Sequence, residues 1–134
     1  MSTFRLDVVT PNRHFFSEEV EMVIVRGTEG DLGILKGHYP MVTQLGIARL
    51  KIKQAGQWRE AAISSGYVEI KENYTIIVTD SAEWPDEIDI DRAEEAMKRA
   101  KERLKHGPTD LDLVRAEAAL RRAITRIDVA NRNK

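Results

Sequence analysis

Hydrophobic and polar positions alternate through the first half of the chain. Phe4, Leu6 and Val8 interleave with Arg5, Asp7 and Val9, and Val20, Met22 and Ile24 repeat the spacing. Ala48, Leu50 and Ile52 face one way while Arg49, Lys51 and Lys53 face the other, as in a strand with one wet face. Glu72-Asn73 separates Tyr67–Lys71 from Tyr74–Thr79, which predicts a hairpin with Asn at a turn position. Gly56 marks another turn. Many short strands with frequent turns predict an all-β sandwich or flattened barrel of about ten strands, not a βαβ fold.

The period then changes from two to 3.6. Ala93, Ala96, Met97, Ala100 and Leu104 fall on one helical face, with Asp89 or Asp91 as its cap and Gly107-Pro108 ending the helix after His106. Thr109 with Asp112 resembles a capping box that opens a second helix. The apolar stripe of that helix is Leu113, Ala116, Leu120, Ala123, Ile124, Ile127 and Ala130. The turn between the two is too short for anything but an antiparallel α-helical hairpin.

Composition sharpens the division. All eight aromatics, Trp84 the last of them, and seven of the eight glycines precede Pro85, whereas residues 86–134 hold 11 acids and 12 bases. We expect a β domain over 1–85 and a two-helix domain over 86–134. A net charge of −1 gives no bulk field toward nucleic acid. With no cysteine there are no disulfides, thiolate metal sites or cysteine nucleophile. The absence of a long apolar run and the opening Met1-Ser2-Thr3 predict a soluble, cytoplasmic protein without a signal peptide.

Catalytic signatures are scarce, and a non-catalytic role is expected. No phosphate loop, nucleophile elbow or H-E-x-x-H pair occurs, and His14, His38 and His106 are scattered. The informative constellation is on the helices. Arg92 and Arg99 share a face of the first, and Arg122 and Arg126 share a face of the second. Folding the hairpin brings these guanidiniums toward one patch near Asp89 and the chain entering from Glu83. Like charges repel unless an anion lies between them, and arginine forks suit phosphate oxygens. The plainer alternative pairs them with Glu94, Glu95, Glu102 and Glu117 as surface ion pairs of little worth.

At these residues the chain resembles the ε subunits of bacterial F-type ATP synthases along essentially its whole length. Phe4–Pro11 looks like the family's first strand and turn, and Gly30–Pro40 is similar to its G-x-L-G-I-L-P-G-H-x-P signature. Lys36 replaces the usual Pro, and Ser65-Gly66-Tyr67 replaces Gly-Gly-Phe. The resemblance implies a ten-stranded β-sandwich with a helical hairpin. It implies a rotor subunit of the central stalk, bound to γ and the c-ring on the cytoplasmic side of the membrane. The subunit would couple proton transport to ATP synthesis and inhibit hydrolysis through helices that extend to the α/β head.

Ile88-Asp89-Ile90-Asp91-Arg92-Ala93 also resembles the I/L-D-x-x-R-A motif of ε subunits that bind ATP as a regulatory ligand. By that resemblance the adenine end lies near Ile88, Asp89, Ala93 and the preceding Glu83, and the phosphates meet Arg92, Arg99, Arg122 and Arg126. Three roles are open to Asp89: ligand to an accompanying Mg²⁺, helix cap, or contact to the base. The alternative is a purely structural stalk subunit whose hairpin binds protein only.

Overall fold

The computed structural model describes residues 2–106 and 110–132. Ten strands precede two helices: β1 (Phe4–Val9), β2 (His14–Val20), β3 (Met22–Gly27), β4 (Gly30–Leu35), β5 (Met41–Leu45), β6 (Ala48–Gln54), β7 (Gln57–Ile63), β8 (Gly66–Lys71), β9 (Tyr74–Thr79) and β10 (Ala82–Glu83). A 3₁₀ turn at Pro85–Glu87 leads into α1 (Ile90–His106), which is followed by α2 (Asp110–Arg132). The expected stop at Gly107-Pro108 and the Thr109 half of the capping box lie outside the described residues.

The strands form two five-stranded sheets, β2-β1-β9-β8-β5 and β10-β7-β6-β3-β4. Pairing is antiparallel except between β1 and β9. Alternation along most strands sends one side chain in two to the shared core: Leu6, Val8, Val68 and Ile77 from one sheet meet Val23, Val25, Leu50 and Ile52 from the other. The β8–β9 hairpin turns at Glu72-Asn73 as expected, with Asn73 at φ +65°, a conformation Asn tolerates better than most residues. Both departures from the family pattern are absorbed. Lys36 is exposed beside Gly37 at φ +83°, and the Ser65 carbonyl accepts from the Asp80 amide at 3.0 Å.

Three local expectations change. Val20 is buried, but the inward residues of β3 are Val23 and Val25, not Met22 and Ile24. The chain crosses from one sheet to the other at Glu21, and that crossing resets which parity points inward. On α2, Ile124 is 46% exposed although it falls on the predicted apolar stripe. The residue that seats this helix on the sandwich is Val129, fully buried with Ala62, Ile88 and Ala130. That docking also explains why alternation fails at Ala61-Ala62-Ile63: the helix covers the outer face of β7, so both faces are buried.

The two helices pack side by side. The buried residues of α1 are Ala93 and Ala100, and α2 contributes Ala116 and Ala123. Small side chains let the helix axes approach closely while burying little apolar area each.

Candidate functional site

The segment between sandwich and helices is pinned at several points. The Trp84 ring stacks on Phe15 at 4.4 Å, and the Arg59 guanidinium lies 3.9 Å over its centroid. Arg13 grips Glu87 through both carboxylate oxygens, at 2.9 and 2.8 Å, and donates to the Ala82 carbonyl at 3.2 Å. The Trp84 amide donates to the same Glu87 carboxylate at 2.8 Å. The Arg13 hydrogen bonds hold the Glu87 carboxyl below its ordinary range, against an opposing push from burial.

Asp89 caps α1. Its Oδ1 accepts from the Arg92 amide at 3.1 Å, and its carbonyl accepts from the Ala93 amide at 3.0 Å. Of the three roles open to it, the described structure uses the cap. Among the described residues no group of three or more His, Asp or Glu side chains is placed to hold a metal ion.

Above this cap, a cavity of about 410 Å³ opens between α1, α2 and the end of the sandwich. Arg92, Ala93, Ala96 and Arg99 line it from α1, Arg126 from α2, and Glu83, Glu87 and Asp89 from the connecting chain. Its size falls in the roughly 300–1,000 Å³ range of small-molecule sites. Arg126 Nε donates to Glu83 Oε1 at 2.6 Å across the two domains. Among the described residues Arg92 and Arg99 form no ion pair with Glu94, Glu95, Glu102 or Glu117; Glu102 instead lies 3.7 Å from His106. Of the cluster, Arg126 pairs with Glu83 and not with the glutamates of the helices.

Six of the eight residues singled out in the sequence line one cavity: Glu83, Asp89, Arg92, Ala93, Arg99 and Arg126. Arg122 borders a neighbouring crevice of about 10 Å³ that shares Glu83 and Arg126 with the cavity but has no room for a ligand. Ile88 turns its side chain into the cluster with Val129 and does not line the cavity. Two lining residues were missed. Ala96 lies four residues after Arg92 and three before Arg99, a spacing that could have placed it on the same face. Glu87 gave no signal, because its partner Arg13 is 74 residues away.

The family model for the ATP synthase delta/epsilon chain beta-sandwich domain matches residues 3–85, and that for the long alpha-helix domain matches 86–131. The chain belongs to the ATP synthase delta/epsilon family. It is 60% identical over 103 residues to the ATP synthase epsilon chain of Alkaliphilus oremlandii, covering 77% of each chain. The epsilon chain of Caldicellulosiruptor bescii is 44% identical over 134 residues, covering 100% of this chain and 98% of that one. Among solved structures, a chain of the Euglena gracilis mitochondrial ATP synthase superposes with a TM-score of 0.84 at 23% identity, over 98% of this chain and 82% of that one. At that identity the likeness is one of fold. As an epsilon-type chain it is a stalk subunit of the ATP synthase and not a catalytic one. No helix among the described residues is long and apolar enough to cross a membrane.

Proposed function

We propose that this chain is a rotor subunit that helps couple proton transport to ATP synthesis and restrains ATP hydrolysis through a hairpin that senses ATP. The observation carrying this reading is the cavity where Arg92 and Arg99 of one helix face Arg126 of the other beside Glu83 of the sandwich. A polyanion between these guanidiniums relieves their mutual repulsion and gains charge-assisted hydrogen bonds. Arg92, Arg99 and Arg126 would hold phosphate oxygens, while Glu83 and the backbone at Asp89 would meet the base. Arg122 reaches the ligand only if Arg126 lets go of Glu83 and the crevice between them widens. An accompanying Mg²⁺ would enter with the nucleotide, beside an Asp89 that gives one carboxylate oxygen to the helix cap.

The docked hairpin rests on few apolar contacts, Ala62, Ile88, Val129 and Ala130 with Ile90 beside them. Docked and extended arrangements of such a hairpin can lie within a few kcal/mol, so a ligand bridging both helices shifts the balance. Bound ATP favours the docked form, by about 2.7 kcal/mol at a hundredfold excess over Kd. Low ATP lets the helices extend along γ to the α/β head and block hydrolytic rotation. The sandwich carries the partner surfaces on this reading. Leu35, Tyr39 and Val42 are apolar residues 55–68% exposed at one end of it and suit γ or the c-ring on the cytoplasmic side of the membrane.

ATP hydrolysis by the assembled complex tests this reading. The full-length chain, a chain ending near residue 85 and the Arg92→Ala/Arg126→Ala variant are compared across ATP concentrations. Truncation should relieve inhibition, and the double variant should stay inhibited at ATP levels that release the wild type. Equal hydrolysis in all three overturns it. A hairpin that inhibits without regard to ATP favours the protein-only reading.

A further inference from the structure

The contacts on either side of Ile88 differ sharply in kind. Up to Glu87 the connecting chain is fastened to the sandwich by a two-pronged ion pair, a hydrogen bond from Arg13 to Ala82, and Trp84 held between Phe15 and the Arg59 guanidinium. Beyond Ile88 the helices touch the sandwich through a small aliphatic cluster, the passage of α2 over β6 and β7, and the Arg126–Glu83 pair. The Arg13–Glu87 pair is itself 45% and 33% exposed and so screened by water, but it is two-pronged and acts together with the bond to Ala82 and the Trp84 stack. That combination outlasts a shallow patch of alanine and valine when the helices lift.

We infer that Arg13 anchors the 82–87 segment to the sandwich, so that the hairpin turns about Ile88–Asp89 and leaves Glu83 behind. The inference rests on the proposed hairpin switch and adds where it pivots and why the site comes apart. Glu83 and Glu87 stay with the sandwich while Arg92, Arg99 and Arg126 leave with the helices. The cavity then exists only in the docked form. Arg13 also neutralises Glu87, which otherwise points a bare carboxylate into a cavity meant for phosphate.

The chain suits a direct test, because it has two tryptophans and no cysteine. In full-length Trp58→Phe protein, Trp84 is the only indole, and Ala62→Cys adds one thiol beneath α2. Val129→Asp lifts the hairpin, with Ala130→Asp added if needed, and reaction of Cys at 62 with a thiol reagent reports the lift. Trp84 emission should stay where it is in the docked chain while the thiol becomes reactive. Adding Arg13→Gln should then shift the emission toward that of the urea-unfolded chain. A shift on lifting alone, with Arg13 intact, overturns the inference, as does unchanged emission in the Arg13→Gln chain. ATP titration of the docked Trp58→Phe chain and its Arg13→Gln form should show binding weakened about fivefold. If the first of these binds no ATP, the sensing function fails while the emission result still decides the anchor.

Discussion

Arg126 of α2 donates its Nε hydrogen bond to Glu83 of β10 at 2.6 Å, tying the last strand of the sandwich to the last helix. The pair is about a third exposed, with side-chain accessibilities of 36% and 27%. Water therefore screens it, and it contributes at most about 1 kcal/mol to holding the hairpin down. We expect Glu83→Gln to leave the melting temperature of the sandwich unchanged and to raise the reactivity of a cysteine placed at Ala62 only slightly. A large rise would mean the ion pair, not Val129 and its neighbours, holds the hairpin.

The alanine seam between the helices gives a second test. Ala123 is 1% exposed on α2, which packs along α1. Ala123→Leu should cost about 1–3 kcal/mol by overpacking. Because no arginine is touched, a loss of ATP affinity in this variant reports the splaying of α1 from α2. Calorimetric titration and helix content by circular dichroism check it.

Glycine 66 opens β8 where a side chain has no room. A Cβ there would collide with the Val78 carbonyl and the Thr79 Cα across the sheet. Gly66→Ala must push backbone aside and should destabilise the sandwich by about 1–3 kcal/mol in urea unfolding. Ser65→Gly next to it should be nearly neutral.

Acid should loosen the anchored segment before the core. The Glu87 carboxyl is held below its ordinary value near 4.5, first by the Arg13 hydrogen bonds. A depressed folded value means its contribution is complete above the ordinary value and is lost as pH falls through the depressed one. The difference in stability between wild type and Glu87→Gln should thus be constant at neutral pH and vanish in acid. A difference that grows as pH falls would contradict the ion pair.

Much of this could be read from the chain because local pattern carried it. The strands of the sandwich follow from alternation at Phe4–Val8 and Ala48–Lys53, and the helices from the spacing of Ala93, Ala100, Ala116 and Ala123. Arg92 and Arg99 were identified because a helix face is fixed by spacing alone. What escaped depends on the partner element. Ile124 fits the apolar period of α2, but the helix docks on β7 through Val129 and leaves Ile124 half exposed. Val23 and Val25 are inward because β3 belongs to the opposite sheet from β2. Glu87 and Arg13 meet only once the 3₁₀ turn lies beside the β1–β2 loop, so neither marks itself in the sequence.

The central claim is that the cavity between the helices and the sandwich takes ATP through arginines from both helices. Isothermal titration of the full-length chain with ATP, with and without Mg²⁺, tests it most directly when paired with the Arg92→Ala/Arg126→Ala variant. Each lost charge-assisted contact is worth about 1.5–3 kcal/mol, so saturable binding by the wild type should weaken at least about tenfold in the variant. No binding heat at millimolar ATP, or equal affinity in the two proteins, would contradict it.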